Sequence, residues 1–371
     1  MLTFLVLGIS NGGLFMARQL RREYPDAKIY TIGAPHDIGQ YSNSINAFYA
    51  ASNESEIVAS IYSVIRSAKD IPLKVFMCSN PMLECVVLHH PELFETLEFE
   101  NSIELYRKIV DKVEVDKLCR DLNIPRPLEY CLKDVDFSAL SFPVVVKPLV
   151  KADAVGASKC AYIETTKEFS DYLAKMDGLN IDRSQLICQQ CVVGDNRWEY
   201  GYGGFFKNGK PLVDIYFHQF IQVPQGLCCY SREITDSILK KKIQEIVKPF
   251  LDETQYNGFL EFDLKQDTNT KKLYLLDINP RPWRSVDMLK GKLGDSTVFH
   301  PVISNEKVVW RYRYRELFRQ KNSNNVSYSI CKSIANDRMK TQSALYDIQD
   351  CKPYLIQWKR DIIELIRKVI K

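Results

Sequence analysis

Three polar side chains occupy alternate positions where an apolar strand ends, in the segment LYLLDINPRPW. They are Asp277, Asn279 and Arg281, with Pro280 and Pro282 on either side of the arginine. Because alternate residues of a strand point to one face, an acid, an amide and a guanidinium are expected on the same side. Carboxylate and amide oxygens are ligands that Mg²⁺ or Mn²⁺ prefers, and a guanidinium forms paired hydrogen bonds with phosphates.

A second acidic segment, GFLEFDLKQD, lies shortly before the first. The stretch KQDTNTKK between them has the polar, turn-forming composition of a hairpin loop. A turn centred near Thr270 places Asp263 opposite Asp277. The same register places Glu261 opposite Asn279, so that all four side chains share one face of an antiparallel hairpin. A slip of one residue would scatter this cluster, because it moves each side chain to the other face.

The other face of the hairpin is predicted to be apolar, and its members are Leu260, Phe262, Leu264, Leu276 and Ile278. Directly opposed carboxylates, with Cβ atoms about 5 Å apart, repel each other by roughly 3 kcal/mol at an effective dielectric constant near 20. We therefore expect a cation between Asp263 and Asp277, and Mg²⁺ held by few protein oxygens usually takes substrate phosphates as further ligands. The alternative is a strand face whose charges are solvated by water.

The first hundred residues predict a small doubly wound α/β domain. TFLVLGISNGGLFMARQLRREYPDAKIYTIG has the pattern of a strand, a glycine-rich turn, an amphipathic helix and a second strand. A further helix over residues 54–68 and the strand KVFMCSN continue this pattern. In the first helix, the apolar face is expected to consist of Leu14, Phe15 and Leu20. The basic, solvent-facing side is expected to consist of Arg18, Arg21 and Arg22. The turn GISNGG lacks the full G-x-G-x-x-G pattern of a dinucleotide site.

The middle of the chain alternates helices and short strands. Ser102 is the expected N-cap of one long helix, IELYRKIVDKVEVDKLCRDL, which ends at NIPRP. FPVVVKP is a β-branched strand that ends at Lys147, and the small-residue loop DAVGASK follows it. SQLICQQCVVG is a further strand, Asn208–Gly209 marks a hairpin turn, and residues 235–250 form an amphipathic helix.

Taken in order over about the first 290 residues, these segments resemble the ATP-grasp superfamily. More narrowly, they resemble its carboxylate–amine ligases, which include D-aspartate ligase and the carbamoyl-phosphate-synthetase-like ATP-grasp domains. The resemblance implies an α/β protein, α+β in its C-terminal part, in which a small N-terminal doubly wound α/β domain precedes an ATP-grasp fold. The implied divisions are residues 1–100, a small lobe over 101–195, a C-terminal lobe over 196–300 and an extension over 301–371.

The resemblance also implies roles for individual residues. Asp263, Asp277 and Asn279 match the metal ligands, with Glu261 as an alternative to Asp263. Arg281 and Lys147 match the catalytic cations, and Lys147 and Lys112 match lysines on the nucleotide phosphates. The mobile loop would bind phosphates through the backbone N–H groups of Gly156, Ala157 and Ser158. The linker would face adenine through the backbone of Gln190, Cys191 and Val192. Asp195 or Asn196 would lie beside the ribose.

The implied function is an ATP-dependent ligase with Mg²⁺ or Mn²⁺ as its metal. It activates a small carboxylate as an acyl-phosphate and joins it to an amine, with amino-acid-like substrates. The chain departs from the family by having Asp where Glu is usual at both metal positions, and Gln189 and Gln190 where the linker commonly carries Glu. In the segment YFHQFIQVPQG, where the family often has Arg or Lys, His218 is the only potential cation. These departures favour the alternatives of a non-catalytic or kinase-like nucleotide-binding protein.

Composition limits the remaining function classes. The net charge of +4 is small for 371 residues and gives no nucleic-acid footprint. Eleven scattered cysteines indicate a reducing compartment, and no apolar run is long enough to span a membrane, so the expected location is the cytoplasm. Cys188 and Cys191 are expected to be buried rather than zinc-bound. The last segment is a basic amphipathic helix, which would either dock on the protein or lie on a membrane surface, and a homodimer is left open.

Overall fold

The chain folds around three β-sheets that follow one another along the sequence. A computed structural model describes residues 2–68, 71–133, 140–148, 161–223, 227–312 and 340–370. The sheets have five, four and seven strands within these residues. The candidate site contains residues from the regions of all three sheets.

The first sheet is entirely parallel, as the strand–helix–strand pattern predicts. Its order is β3-β2-β1-β4-β5, with β1 (Thr3–Leu7), β2 (Lys28–Gly33), β3 (Ala47–Ala50), β4 (Leu73–Met77) and β5 (Glu98–Phe99). The connecting helices are α1 (Asn11–Glu23) and α2 (Glu54–Ala68), and the short α3 (Asn80–Glu84) follows β4. The carboxyl ends of β1 and β4 therefore place the glycine-rich turn beside Ser79 and Asn80.

The long helix predicted after Ser102 is wrong, because the structure has two shorter helices there. Ser102 does cap the first, α4 (Ile103–Val110), by accepting a hydrogen bond from the N–H of Leu105. Asp111 then adopts an extended conformation and caps α5 (Lys112–Asp121), accepting from the N–H groups of Val113 and Glu114. This break puts Lys112 at the first position of a helix instead of the middle of one.

The second sheet is small and antiparallel. Its order is β6-β9-β7-β8, with β6 (Glu129–Cys131), β7 (Val144–Pro148), β8 (Ala161–Ile163) and β9 (Leu186–Gln190). Helix α6 (Thr166–Gly178) packs on it through Phe169, Leu173 and Met176. Alternation along β7 buries Val144 and Val146 and leaves Lys147 on the opposite side.

The third sheet runs in the order β14-β13-β10-β11-β12-β15-β16. Its strands are β10 (Glu199–Lys207), β11 (Lys210–Val223), β12 (Leu227–Glu233), β13 (Gly258–Gln266), β14 (Leu273–Asn279), β15 (Val308–Arg311) and β16 (Lys340–Ser343), and its helices are α7 (Ser237–Thr254) and α8 (Met288–Leu293). The hairpin predicted at Asn208–Gly209 is confirmed: both residues have positive φ, 50° and 69°, as a two-residue turn requires.

The β13–β14 hairpin has the predicted register at its polar end. Asp263 pairs with Asp277 and Glu261 pairs with Asn279. A bulge follows, so that Leu264 pairs with Leu275 and not with Leu276. The prediction that Leu276 covers the apolar face is therefore wrong. Leu275 is buried there with Leu264, because the bulge shifts by one residue which β14 side chains point to the apolar face on the loop side of Asp277.

One apolar cluster joins the first sheet to the third. It includes Phe15 of α1, Phe217 of β11 and Trp283, which stacks on Phe217 with parallel rings 5.9 Å apart. Gly12 allows this approach, because a Cβ atom there would lie only 2.9 Å from the carbonyl oxygen of Pro282. The glycine-rich turn and the segment after β14 therefore touch through backbone atoms.

Arg18 does not face solvent, which corrects the predicted basic side of α1. Its side chain is 2% exposed, and its Nε donates to Asp350 Oδ2 at 2.9 Å. Ser42 and the N–H of Asn43 donate to the same carboxylate. The C-terminal segment covers this side of α1, a long-range contact that the helical pattern alone does not reveal.

The last helix, α9 (Lys352–Ile370), lies against the N-terminal part of the chain. Arg360 donates to the carbonyl oxygen of His36 at 2.9 Å, and Tyr354 packs on the large apolar cluster. Leu355 and Trp358 on another side of the helix are 58% and 46% exposed. Among the residues that the structure describes, no helix is both long and apolar enough to cross a membrane.

The buried Arg18–Asp350 pair predicts a large effect on stability. Replacing Asp350 by Ala leaves a buried guanidinium without its counter-ion, and we expect the free energy of unfolding to fall by about 3–5 kcal/mol. Urea denaturation followed by circular dichroism measures this change. The matched control is Asp252→Ala, whose carboxylate is exposed and pairs with Lys248 on the surface of α7. A loss no larger than that of the control would contradict the prediction.

Candidate active site

The acidic face of the β13–β14 hairpin is held together by one amide. Asn279 Nδ2 donates to Glu261 Oε2 at 3.2 Å and to Asp263 Oδ2 at 3.1 Å. Gln219, on β11, donates to the other oxygen of Asp263 at 2.9 Å. Glu261 and Asn279 are both buried. The structure thus brings the predicted residues Asp263 and Asn279 into direct contact, with Glu261 beside them.

Asp277 belongs to the same hairpin but faces a cavity. One of its oxygens accepts from the N–H of Ile278 at 3.1 Å. No three His, Cys, Asp or Glu side chains in the described parts of the chain are placed to hold a metal ion by themselves. The candidate metal ligands are therefore two acids and an amide, all of them oxygen donors, and a bound ion would need further oxygen ligands from a substrate.

Asp277 and Asn279 line this cavity together with two of the predicted lysines. Lys112 stands at the start of α5, and Lys147 stands at the end of β7. Arg126, which follows α5 in the segment NIPRP, is a third cation in the lining. Three cations and two of the candidate metal ligands thus surround one space, although they come from three separate parts of the sequence.

Glu129 organises two of these cations. Its Oε1 accepts from Lys147 Nζ at 3.1 Å and from Arg126 Nη2 at 3.2 Å, and Gln189 donates to the same atom. Glu129 is at one edge of the small sheet, on β6, paired with Gln189 on β9. Neither Arg126 nor Glu129 is among the residues predicted from the sequence. The available signal was a charged side chain between Pro125 and Pro127, whose rings fix the backbone on either side.

Arg281 points away from this cavity toward the N-terminal sheet. Its Nε donates to Asn80 Oδ1, and its Nη1 donates to the carbonyl oxygen of Pro282 at 3.0 Å. Its Nη2 donates to Asn279 Oδ1 at 3.3 Å. Arg281 therefore connects the hairpin to helix α3, and the same guanidinium orients the amide that contacts the acids.

A second cavity, of about 450 Å³, lies on the other side of Arg281. Its lining includes Arg284 and Asp37, which carry opposite charges, and the polar groups Ser10, Asn11, Ser79 and Gln357. Asn80 lines both cavities, so the two are neighbours. The guanidinium of Arg284 lies 4.8 Å from the ring centre of Tyr312. The glycine-rich turn therefore borders a polar space beside the candidate metal ligands.

The predicted linker leaves the end of β9 at Gln190. The N–H of Gln190 donates to the carbonyl oxygen of Leu128, and that of Cys191 donates to that of Pro143. Val192 is buried. Asp195 lies nearby on the surface, where the bidentate Arg197 guanidinium holds the pKa of its carboxyl below the usual range. The backbone N–H groups of Gln190 and Cys191 thus already donate within the chain.

The predicted phosphate loop, with Gly156, Ala157 and Ser158, lies outside the described residues. His218, the only potential cation in the segment YFHQFIQVPQG, lies within the described residues. Burial lowers the pKa of its imidazole to about 4, against the opposing effect of the hydrogen bond to the carbonyl oxygen of Arg197. His218 is therefore neutral near pH 7 and supplies no positive charge to the site.

No family model matches the chain. The D-aspartate ligase of Enterococcus faecium (strain Aus0004) is 22% identical over 223 residues, which cover 56% of this chain and 53% of that protein. The chain thus spans about half the length of the curated relative that it matches.

Two solved structures are similar to the chain over most of its length. N5-carboxyaminoimidazole synthetase from Staphylococcus aureus, complexed with ADP, superposes with a TM-score of 0.66 and 12% identity over 90% of this chain and 96% of that one. L-amino acid ligase from Bacillus licheniformis superposes with a TM-score of 0.59 and 12% identity, over 80% and 72%. At such identities the similarity establishes the fold, and the predicted fold class is confirmed.

The neutrality of His218 gives a direct pH prediction. Because its folded-state pKa lies below the ordinary value of 6.5, the unfolded chain binds this proton more readily. The contribution of this group therefore destabilises the fold progressively as pH falls from about 6.5 toward 4. We expect its imidazole carbon-bound proton to titrate by NMR with a midpoint near 4. The His218→Gln variant identifies the resonance, and a midpoint above 6 would contradict the assignment.

Proposed function

We propose that this chain, which has the ATP-grasp fold, is an ATP-dependent ligase that activates a carboxylate as an acyl-phosphate and joins it to an amine. The observation that carries the proposal is the cavity in which Lys112 and Lys147 face Asp277 and Asn279. Cations on one wall and oxygen ligands on the other are the arrangement that a metal-bound triphosphate needs. The similarity to a D-aspartate ligase and to an L-amino acid ligase supports the same reaction class.

The candidate donor set fits Mg²⁺ or Mn²⁺. Asp263, Asp277 and Asn279 offer only oxygen to a metal, and Glu261 stands beside them as an alternative ligand to Asp263. A half-turn of the Asn279 amide exchanges its nitrogen for its oxygen next to the carboxylates. A metal ion held by these side chains neutralises charge on the terminal phosphates of ATP.

The side chains around the two cavities divide the remaining work. Lys112 and Lys147 bind the phosphates. Arg281, which borders the second cavity and donates to Asn279, stabilises charge on a γ-phosphate that reaches the boundary between the two cavities. A carboxylate oxygen attacks the γ-phosphorus and the bond to the ADP oxygen breaks, which yields ADP and the acyl-phosphate. The amine then attacks the acyl carbon, the carbon–oxygen bond to phosphate breaks, and the amine loses a proton as the amide forms. Most of the catalysis comes from positioning and charge neutralisation.

The linker and loop complete the nucleotide site in this proposal. Backbone atoms of Gln190, Cys191 and Val192 pair with the adenine edge, and Asp195 or Asn196 faces the ribose. The N–H groups of Gly156, Ala157 and Ser158 bind the terminal phosphates, and their loop excludes water from the acyl-phosphate.

The second cavity suits amino-acid-like substrates. It places Asp37 and Arg284 around one space of about 450 Å³, so that groups of both charges can be paired. It also adjoins Arg281 and Asn80, which lie between it and the candidate metal ligands. A substrate carboxylate in this cavity therefore lies toward the phosphates. The named substrates of the two similar ligases, D-aspartate and L-amino acids, belong to the same chemical class.

A non-catalytic or kinase-like nucleotide-binding protein is the second candidate. Two observations favour it: both metal acids are Asp, one methylene shorter than Glu, and His218 is neutral at pH 7. A site with shorter ligands and fewer cations could bind nucleotide without transferring phosphate to a carboxylate.

A substrate screen separates these functions. Purified protein is incubated with ATP, Mg²⁺ and pairs drawn from a panel of D- and L-amino acids, and ADP and inorganic phosphate are measured separately. We expect equal release of both products, and only with a productive acid–amine pair, because the amine displaces phosphate from the acyl-phosphate. ADP release without free phosphate would identify a kinase. Nucleotide binding with no turnover for any pair would overturn the ligase proposal.

The metal assignment predicts a severe effect of one isosteric change. We expect Asp277→Asn to lower kcat/KM for the productive pair by at least about a hundredfold, because the change removes a metal-ligand charge while keeping the side-chain shape. Titration with Mn²⁺ followed by electron paramagnetic resonance should show weaker metal binding in the ATP complex. Asp252→Asn, on the exposed surface of α7, is the control. Unchanged turnover and metal affinity in Asp277→Asn would overturn the assignment.

A further inference from the structure

We propose that Arg126 is a third cation on the terminal phosphates of the nucleotide, beside Lys112 and Lys147. The inference rests on the proposed function, because it names a ligand for the same nucleotide site. It concerns a residue of this chain outside the set that the family resemblance implies.

The guanidinium of Arg126 is buried but incompletely bonded. Its side chain is 5% exposed, and its Nη2 donates to Glu129 Oε1 at 3.2 Å. Within the described residues, its Nε and Nη1 have no oxygen or nitrogen acceptor at hydrogen-bond distance; Nε lies 3.7 Å from Asp116 Oδ1, and the Cys119 thiol lies beside the guanidinium. A buried donor without an acceptor is costly, and a charged one more so. A phosphate in the adjoining cavity would satisfy Nη1.

The backbone around Arg126 is tied to the candidate metal strand. The N–H of Leu275, at the bulge of β14, donates to the carbonyl oxygen of Pro125 at 2.9 Å. Pro125 and Pro127 restrict the backbone on both sides of Arg126. The guanidinium is therefore held in a fixed relation to Asp277, two residues beyond Leu275, and both line the same cavity. This places its charge toward the metal end of the site, where the terminal phosphates bind.

Charge requirements favour the same assignment. Asp277 and its neighbours Asp263 and Glu261 bring negative charge to a site that must also accept a triphosphate. Among the described residues, the basic side chains that line the cavity are Lys112, Lys147 and Arg126. A planar guanidinium can donate to a phosphate through Nη1 while Nη2 stays on Glu129, which a lysine with its single nitrogen cannot do in the same fixed geometry.

Phosphate binding by Arg126 also predicts an effect of changing Glu129. Its Oε1 holds both Arg126 and Lys147, so the carboxylate competes with phosphate for two cations. Neutralising this acid should strengthen nucleotide binding if the two cations bind phosphate. It should weaken binding if the pair with Glu129 is the only role of Arg126.

Calorimetric titration of the full chain with Mg²⁺ and ATP, ADP or AMP tests the proposal. We expect Arg126→Gln to weaken ATP and ADP binding by roughly ten- to a hundredfold and AMP binding by less than about threefold, because only the first two nucleotides carry terminal phosphates. Arg126→Lys should recover part of the loss. The control Arg183→Gln changes a surface arginine of the same lobe, paired with Asp177, and should have no effect.

The outcomes separate a phosphate ligand from a structural residue. Equal weakening for all three nucleotides, or no weakening, would overturn the assignment while leaving the proposed function intact. Glu129→Gln should bind ATP at least as tightly as the unaltered protein, and a loss as large as that of Arg126→Gln would also overturn it. If the unaltered protein binds no adenine nucleotide in the presence of Mg²⁺, the proposed function and this inference both fail.

Discussion

The crowding of carboxylates on one hairpin is the constraint on which the candidate site depends. Asp263 and Asp277 are paired across β13 and β14, with Glu261 beside them, and such opposed charges repel by roughly 3 kcal/mol at an effective dielectric constant near 20. The buried opposite face, with Phe262 and Ile278, fixes the register in spite of this repulsion. Positive groups from other elements then converge on the hairpin, and the two cavities lie where they meet.

The sequence predicts the local part of this arrangement well, because it follows from alternation and turn chemistry. The pairs Asp263–Asp277 and Glu261–Asn279 are confirmed, as are the parallel first sheet and the Asn208–Gly209 turn. The bulge beside Asp263 was not predicted, because neither alternation nor residue type marks an extra residue in a strand of leucines. It exchanges the environments of Leu275 and Leu276, and it sets the N–H of Leu275 toward Pro125.

The remaining errors concern which groups each polar side chain contacts. Arg18 has the spacing of a solvent-facing helical residue, yet Asp350 covers it. Asp111 could have continued a helix, but its side chain caps α5 instead. Glu129 was missed because Lys147 and Gln189, which donate to it, lie on β7 and β9, and no local pattern connects these strands to β6. Arg126 was missed with it, because Glu129 is its closest acidic partner. Residue types indicate which functional groups are present, whereas tertiary packing decides which of them lie together.

The contact between Gly12 and Pro282 limits how this protein can change during evolution. Any side chain at position 12 would press on the backbone of Pro282, next to the arginine that holds Asn80 and Asn279. Residues that border the polar cavity can vary around this point, but the glycine cannot be replaced without shifting Arg281. Diversification of the polar cavity in descendants of this sequence should therefore occur around Asn11, His36 and Asp37, while positions 12 and 282 change together or not at all.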